Sequence, residues 1–281
     1  MYNLTDSHSD LLTTKTKKQQ IEFIKNLPSN IKFLNLAIFT THKKINIKQL
    51  KKYKQRINFL QTFTNTHLLF SVEDISSIKE CEIDELIKLK PFCVSLTWNY
   101  KNQYAGGSLS TSGITKCGKQ IIKKLEENNI IIDTAHLNRK SFWQFAKLTT
   151  KPILCTHANI NSIFSHPRNL TNQEIKKIVG SNGFVGISLY QNFISTHKIS
   201  AKNIAWQFNY LIKKFKSKNF GFGTDFFGVY KRFLPSNLKR YQDFSTVSAE
   251  LKKLDYSKET ISNIFHKNFE NFLNRARKKS S

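Results

Sequence analysis

The chain's 281 residues are 39% hydrophobic and 23% charged, with the charges spread along its whole length, which excludes disorder and allows a sizeable core. No stretch reaches the ~18 consecutive apolar residues of a membrane helix. Cysteines at 81, 93, 117 and 155 lack C-x-x-C spacing, which excludes a zinc ribbon or a disulfide framework and leaves them reduced and structural.

The net charge of +26 is the extreme value. It comes from doublets such as Lys43-Lys44, Lys51-Lys52, Lys123-Lys124, Lys176-Lys177 and Lys213-Lys214, plus a short basic tail, Arg275-Ala276-Arg277-Lys278-Lys279. The doublets fall inside amphipathic patterns and form no single block. They read as solvated helix faces rather than a phosphate-binding surface, so no specific nucleic acid is expected. The start, Met1-Tyr2-Asn3-Leu4-Thr5-Asp6, has no basic region followed by an apolar one, so a cytoplasmic location without a transmembrane segment is expected.

In chain order, short apolar runs alternate with longer helical patterns. A strand is predicted at 2–5, and apolar positions 21, 23, 24 and 27 predict a helix over 19–27. A strand at 33–39 precedes a Lys-rich helix with an apolar stripe at 47–63. Strands follow at 68–72 and 92–96. Ile121, Ile122 and Leu125 share one face of a helix at 118–128, before a strand at 130–133. Then come helix 138–148, strand 153–156, helix 172–179, strand 184–188, helix 201–215 and strand 220–223. Helices at 243–254 and 257–272 end the chain. Several runs are continuously apolar, as strands buried on both faces are. Eight strands with a helix after most of them predict an α/β fold, closed as a (β/α)8 TIM-type barrel; an open sheet is the alternative. Without an internal repeat or linker, residues 1–281 read as one catalytic domain with C-terminal helices.

Chemistry in such barrels sits at the C-terminal strand ends. The first strand ends in Asp6-Ser7-His8-Ser9-Asp10, the third in Glu73-Asp74, the fourth in Thr97-Trp98-Asn99 and the fifth in Asp133-Thr134-Ala135-His136. The sixth ends in Thr156-His157 and the eighth in Thr224-Asp225, while the second and seventh end near His42 and Tyr190. His8 and Asp10, two apart on an extended segment, point to one side and together suit one divalent ion. His136 and His157 leave neighbouring strands and suit a second. Glu73 lies between them and offers one oxygen to each. His and carboxylate donors without thiolate suit two divalent ions, Zn2+ first, or Mn2+ or Co2+, better than Ca2+ or Mg2+. Two such ions would share a water and lower its pKa. Singly, each residue has a plainer use: Asp10, Glu73 or Asp74 as helix caps, a lone His as a structural group. The joint placement lifts the set. His166, His197 and His266 read as loop or helix residues.

In this order the motifs resemble the membrane dipeptidase family. Asp6-Ser7-His8-Ser9-Asp10-Leu11 is similar to its D-G-H-N-D-L, and Ile132-Asp133-Thr134-Ala135-His136 to its I-D-x-[SA]-H. Pro152-Ile153-Leu154-Cys155-Thr156-His157-Ala158 resembles P-V-I-F-S-H-S. His166-Pro167-Arg168-Asn169-Leu170-Thr171 matches H-P-R-N-L-T, and Gly221-Phe222-Gly223-Thr224-Asp225-Phe226 resembles G-x-G-[ST]-D-F. Gly113-Ile114-Thr115-Lys116-Cys117-Gly118 and Asn268-Phe269-Glu270-Asn271-Phe272-Leu273 complete the likeness.

The resemblance implies a zinc-dependent dipeptidase that cleaves through a hydroxide between two metals. It implies His8, Asp10, Glu73, His136 and His157 as ligands, with Glu73 bridging. Asp225 becomes the acid/base, and Arg168 the grip on the substrate's C-terminal carboxylate. Trp98, Asn99 and Tyr190 are taken as further substrate-binding residues. The family often pairs, so a homodimer is allowed.

Three positions depart from the pattern. Trp98 stands where animal members carry a His that contacts the tetrahedral intermediate. Asp74 stands where Gly is usual, and Phe227 where Asp is usual. The chain is also short for the family. Two rival readings remain. One is another metal-dependent amide, lactone or phosphoester hydrolase, against which stands His8-x-Asp10 in place of H-x-H. The other is a basic nucleic-acid-binding protein on an inactive scaffold.

Overall fold

A computed structural model describes residues 2–40 and 45–277. His42, the Lys43-Lys44 doublet, and Lys278 and Lys279 of the basic tail lie outside the described residues. Eight parallel strands neighbour one another in chain order and close into a barrel. They are β1 (Leu4–Ser9), β2 (Ile31–Phe39), β3 (His67–Glu73), β4 (Cys93–Ser95), β5 (Ile131–Asp133), β6 (Leu154–Ala158), β7 (Phe184–Ile187) and β8 (Phe220–Phe222). Asp6 opposite Phe222 closes β8 on β1. The longest register, Phe33 opposite His67 through Phe39 opposite Glu73, sets Glu73 at the C-terminal end of β3. The predicted (β/α)8 architecture is the one formed.

Helices α1 (Leu11–Thr14), α2 (Lys17–Lys25), α3 (Ile47–Gln61), α4 (Ile83–Lys88), α5 (Lys116–Glu127) and α6 (Arg139–Leu148) surround the first six strands. They are followed by α7 (Asn172–Gly180), α8 (Ala201–Phe215), α9 (Ser245–Lys253), α10 (Lys258–Ser262) and α11 (Asn268–Arg277). Their starts follow local chemistry. The side chains of Thr16, Asn46, Thr115, Asn138 and Thr171 each accept a backbone N–H from the first turn. Helices α1 and α4 escape a periodicity reading because four and six residues carry too little of a 3.6-residue repeat. The helix predicted at 257–272 is α10, a π-turn at Asn263–Lys267, and α11, which runs on to 277.

Strand one differs most from expectation: it covers Leu4–Ser9 rather than 2–5. Asp6, Ser7, His8 and Ser9 look like a loop in sequence, yet all are buried. Asp6 accepts from the Thr224 amide at 2.8 Å, the Thr224 hydroxyl at 2.6 Å and the Tyr241 hydroxyl at 2.5 Å. These partners lie more than 200 residues away and leave no local mark.

At the N-terminal mouth, Phe269 and Phe272 of α11 pack with Leu69, Cys93, Leu154 and Phe184 and seal the barrel. All four cysteines are free. Lys51-Lys52, Lys176-Lys177 and Lys213-Lys214 are exposed on α3, α7 and α8. Among the described residues, no helix is long and apolar enough to cross a membrane.

Candidate active site

The C-terminal mouth gathers the polar strand ends. His8 lies on β1, Glu73 ends β3 and His157 lies on β6. Asp10 stands at the N-cap position of α1 without a side-chain capping bond, while His136 and Asp225 follow β5 and β8 in left-handed conformations with φ of 72° and 61°. Asp74 (φ 68°) and Phe227 (φ 70°) are left-handed too. Such non-glycine conformations are uncommon; among the described residues five more, Lys90, Asn129, Asn182, Lys216 and Asp255, follow helix ends elsewhere in the chain. Asp74 thus fills a position that favours Gly, which accounts for that departure. Its carboxylate accepts from the Ser76 amide and hydroxyl and from Asn102, at 2.8, 2.9 and 3.2 Å.

Glu73 divides its carboxylate. Oε2 lies 3.4 Å from His8 Nε2. Oε1 lies 2.8 Å from His136 Nε2 and 3.8 Å from His157 Nε2. His8 Nε2 is 3.5 Å from Asp10 Oδ2, and the His136 and His157 Nε2 atoms are 2.9 Å apart. Two groups result, Glu73/His136/His157 and His8/Asp10/Asp225, each with ligand atoms within 4.8 Å of one another.

These donors fit divalent cations on three counts. His8 Nε2 is buried and has no hydrogen-bond partner among the described residues. His136 Nδ1 faces the Asn99 amide oxygen at 2.8 Å; that oxygen only accepts, so the His136 lone pair is on Nε2, toward His157. Gly228 leaves room, since a Cβ there would stand 2.3 Å from Asp225 Oδ1 and 2.4 Å from Asp10 Oδ2. A third group, His8/Asp133/His157, also brings its ligand atoms within 4.8 Å of one another.

Burial and neighbouring charge spread the proton affinities. Burial, reinforced by Arg168, holds His136 down to about 3, and burial with His8 and Arg168 puts His157 well below the usual range. Both rings are neutral donors at neutral pH. Burial opposes charge on His8, but Glu73 and Asp10 prevail and lift it well above the ordinary value. Burial favours a neutral Glu73, yet His8 and His136 hold it well below the usual carboxylate range. Asp225 is pushed well above it by burial and by the Asp10 carboxylate.

A cavity of about 460 Å³ opens over these groups. Every predicted site residue lines it except His8, which lies behind: Asp10, Glu73, Trp98, Asn99, His136, His157, Arg168, Tyr190 and Asp225. Trp98 packs between Phe39 and His136, with ring centroids 5.3 and 5.7 Å away. Arg168 is buried, stands over Phe193 at 5.5 Å and touches the His157 carbonyl at 3.4 Å. Among the described residues it has no carboxylate within ion-pair range, and its Nε has no hydrogen-bond partner. Asn99 Oδ1 is engaged by His136 and by the Ser108 hydroxyl.

Sequence reasoning missed several walls: Phe39, Leu109, His166, Phe193, Tyr230 and Phe233. His166 was set aside as a loop residue. It is one, but its Nδ1 accepts the Arg168 amide at 3.1 Å and its ring faces Phe193 at 4.8 Å. Its place two residues before Arg168 was the available signal.

The chain matches the family described as membrane dipeptidase (peptidase family M19) over residues 6–280. An uncharacterized protein of the pqqA 5' region of Klebsiella pneumoniae is 30% identical over 145 residues, covering 47% of this chain and 54% of that protein. Dipeptidase verJ of Clonostachys rogersoniana is 20% identical over 230 residues, 76% of this chain and 59% of that protein. The chain therefore spans little more than half the length of these curated relatives. A solved structure of dipeptidase AC, a metallopeptidase of family M19, superposes with a TM-score of 0.84 at 16% identity, covering 98% of both chains. A metallopeptidase from Rhodobacter sphaeroides, solved with a phosphinate mimic of the dipeptide L-Ala-D-Ala, gives a TM-score of 0.80 at 16% identity over 98% of this chain and 99% of its own. At such identities these likenesses establish the fold.

Proposed function

The chain belongs to the membrane dipeptidase family, peptidase family M19, and from that membership we propose that it is a metallo-dipeptidase hydrolysing dipeptides at the barrel mouth. One cavity joins a divided carboxylate, Glu73, to a buried guanidinium, Arg168, that has no carboxylate partner among the described residues, and this observation carries the reading. His8 and Asp10 would hold one divalent ion, His136 and His157 the second, with Glu73 shared. The donor set is nitrogen and carboxylate, which favours zinc. Such a pair of ions supplies, when bound, a polarising charge and a water of lowered pKa.

The chain's own groups do the rest. Arg168 presents a planar, permanently charged fork, suited to a substrate's C-terminal carboxylate. Burial makes that pairing stronger than it would be in water. Asp225, raised well above the carboxylate range, holds a proton that it can pass to the leaving amine nitrogen. Trp98 and Tyr190 wall the cavity, and the Asn99 amide group remains a donor because only its oxygen is engaged. A cavity of about 460 Å³ limits substrates to small ones, and tolerance of a D residue at the C-terminal position belongs to this reading. So do a single catalytic domain over residues 1–281, a cytoplasmic location and room for a homodimer.

The test is metal content of the purified protein together with hydrolysis of an L,L and L,D dipeptide panel. Two zinc ions per chain with chelator-sensitive cleavage are expected. Two ions without dipeptide cleavage would favour another amide or lactone substrate. No metal and no cleavage would overturn the hydrolase reading and bring the +26 charge forward.

A further inference from the structure

Two of the proposed ligands also belong to the His8/Asp133/His157 group, which has a metal site's composition. Its centre is taken by a side chain. The Thr156 hydroxyl lies 2.5 Å from Asp133 Oδ2, 3.2 Å from His8 Nδ1 and 3.0 Å from His157 Nδ1. A hydroxyl has one proton to give and two lone pairs to offer. Asp133 decides where the proton goes. Its Oδ1 accepts the Thr156 and Ala135 amides at 2.9 and 3.0 Å, and its Oδ2 also receives the Ser95 hydroxyl at 3.3 Å. Surrounded by donors, this carboxylate accepts, and the threonine proton points to it. Toward both imidazoles the threonine oxygen can then only accept.

We propose that Thr156, oriented by Asp133, is a positioning residue that fixes the ring tautomer of His8 and His157 together and so couples the two ion sites. It holds Nδ1–H on both rings and turns both Nε2 lone pairs toward Glu73. The inference rests on the metal reading above. His136 stands outside this hub, because Asn99 holds its Nδ1 separately. The two anchors therefore differ: one serves both sites, the other serves one. Partners that fix the non-ligating nitrogen of a metal-binding His typically change affinity by ~10–100-fold.

Three variants test this in the full chain: Thr156→Val, Thr156→Ser and Asn99→Ala. Valine keeps the shape and loses the hydroxyl; serine does the reverse. Zinc affinity is read by competition with a chromophoric chelator. Ring N–H signals are read by NMR on the zinc-loaded, 15N-His protein. The wild type should bind two ions and show Nδ1–H on His8, His136 and His157. In T156V the His8 and His157 signals should vanish and both affinities fall by roughly 10–100-fold. T156S should restore both. N99A should lose the His136 signal and weaken one site alone. Unchanged affinities and signals in T156V would overturn the coupling and leave the dipeptidase reading standing. A loss in T156S as large as in T156V would also overturn it, by showing that packing is the cause. A wild type that takes up no zinc would overturn the metal reading and the coupling together.

Discussion

The two mouths of this barrel are built on opposite principles. At the N-terminal mouth, Phe269 meets Phe184, Phe92 and Phe33 with ring centroids 5.0, 5.9 and 6.5 Å away, all near edge-on. Phe272, Leu154 and Leu69 fill the space between them. Such a plug stabilises through removed apolar area and aromatic geometry. At the C-terminal mouth, carboxylates and imidazoles stand within a few ångströms of one another. That end concentrates buried polar groups where the other concentrates apolar ones. One end of the fold supplies the rigidity that lets the other keep an unfavourable arrangement.

The sharpest way to break the comparison is to disturb each end once. Glu73→Gln removes the divided charge while keeping the shape, so activity should fall by at least ~10³-fold and the paired metal content should be lost. The fold should persist, because the plug is untouched. Metal analysis and circular dichroism on one preparation check this; an active variant holding two ions would sink the shared-ligand role. Phe269→Ala should do the opposite. Denaturant unfolding should show a loss of about 3–5 kcal/mol, with kcat near wild type below the new transition. If kcat fell with stability, the ends would not be independent.

The sequence exposes these ends unequally. The alternation of apolar runs and helical stripes makes the barrel legible. His8, Glu73, His136 and His157 are legible because each closes or follows such a run. The course of β1 was hidden. Asp6 and Ser7 are buried by partners from β6, β8 and Tyr241, and polarity in a single sequence does not say whether a distant donor exists. The walls supplied by Tyr230 and Phe233 were hidden too, since a lone aromatic residue between elements has no period, and Phe39 read only as the end of a strand. Arg168 stood out only through the family likeness, and Asp225, legible as a strand-end aspartate, took its acid/base role from it.

Arg168 sharpens the comparison within the polar mouth, where its permanent positive charge stands among groups suited to hold cations. Arg168→Met keeps much of the stem and removes the fork. For free dipeptides kcat/KM should fall by roughly 10²-fold, about 2.7 kcal/mol, mainly through KM. Dipeptide amides lack the C-terminal carboxylate, so wild type and variant should cleave them alike. A loss of equal size on the amides would show that Arg168 supports the fold or the ligands rather than the substrate.

The smallest effect compares one residue type at both ends. His136 and His266 are both buried histidines whose pKa burial lowers. Their partners differ. His136 meets Asn99, Glu73 and His157 at the open mouth. His266 meets the Thr5 hydroxyl at 3.0 Å and Glu270 at 3.1 Å beside the plug, with Phe33 stacked 6.2 Å away. There a histidine is a packed hydrogen-bonding group with no converging lone pairs. His266→Asn should therefore lower stability by about 1–2 kcal/mol, the scale of a lost buried hydrogen bond, and leave zinc content and kcat unchanged. The same substitution at His136 should remove one ion and the activity. If His266→Asn also lost metal, the plug would be transmitting to the mouth through β1, which carries Thr5 and His8 on one strand.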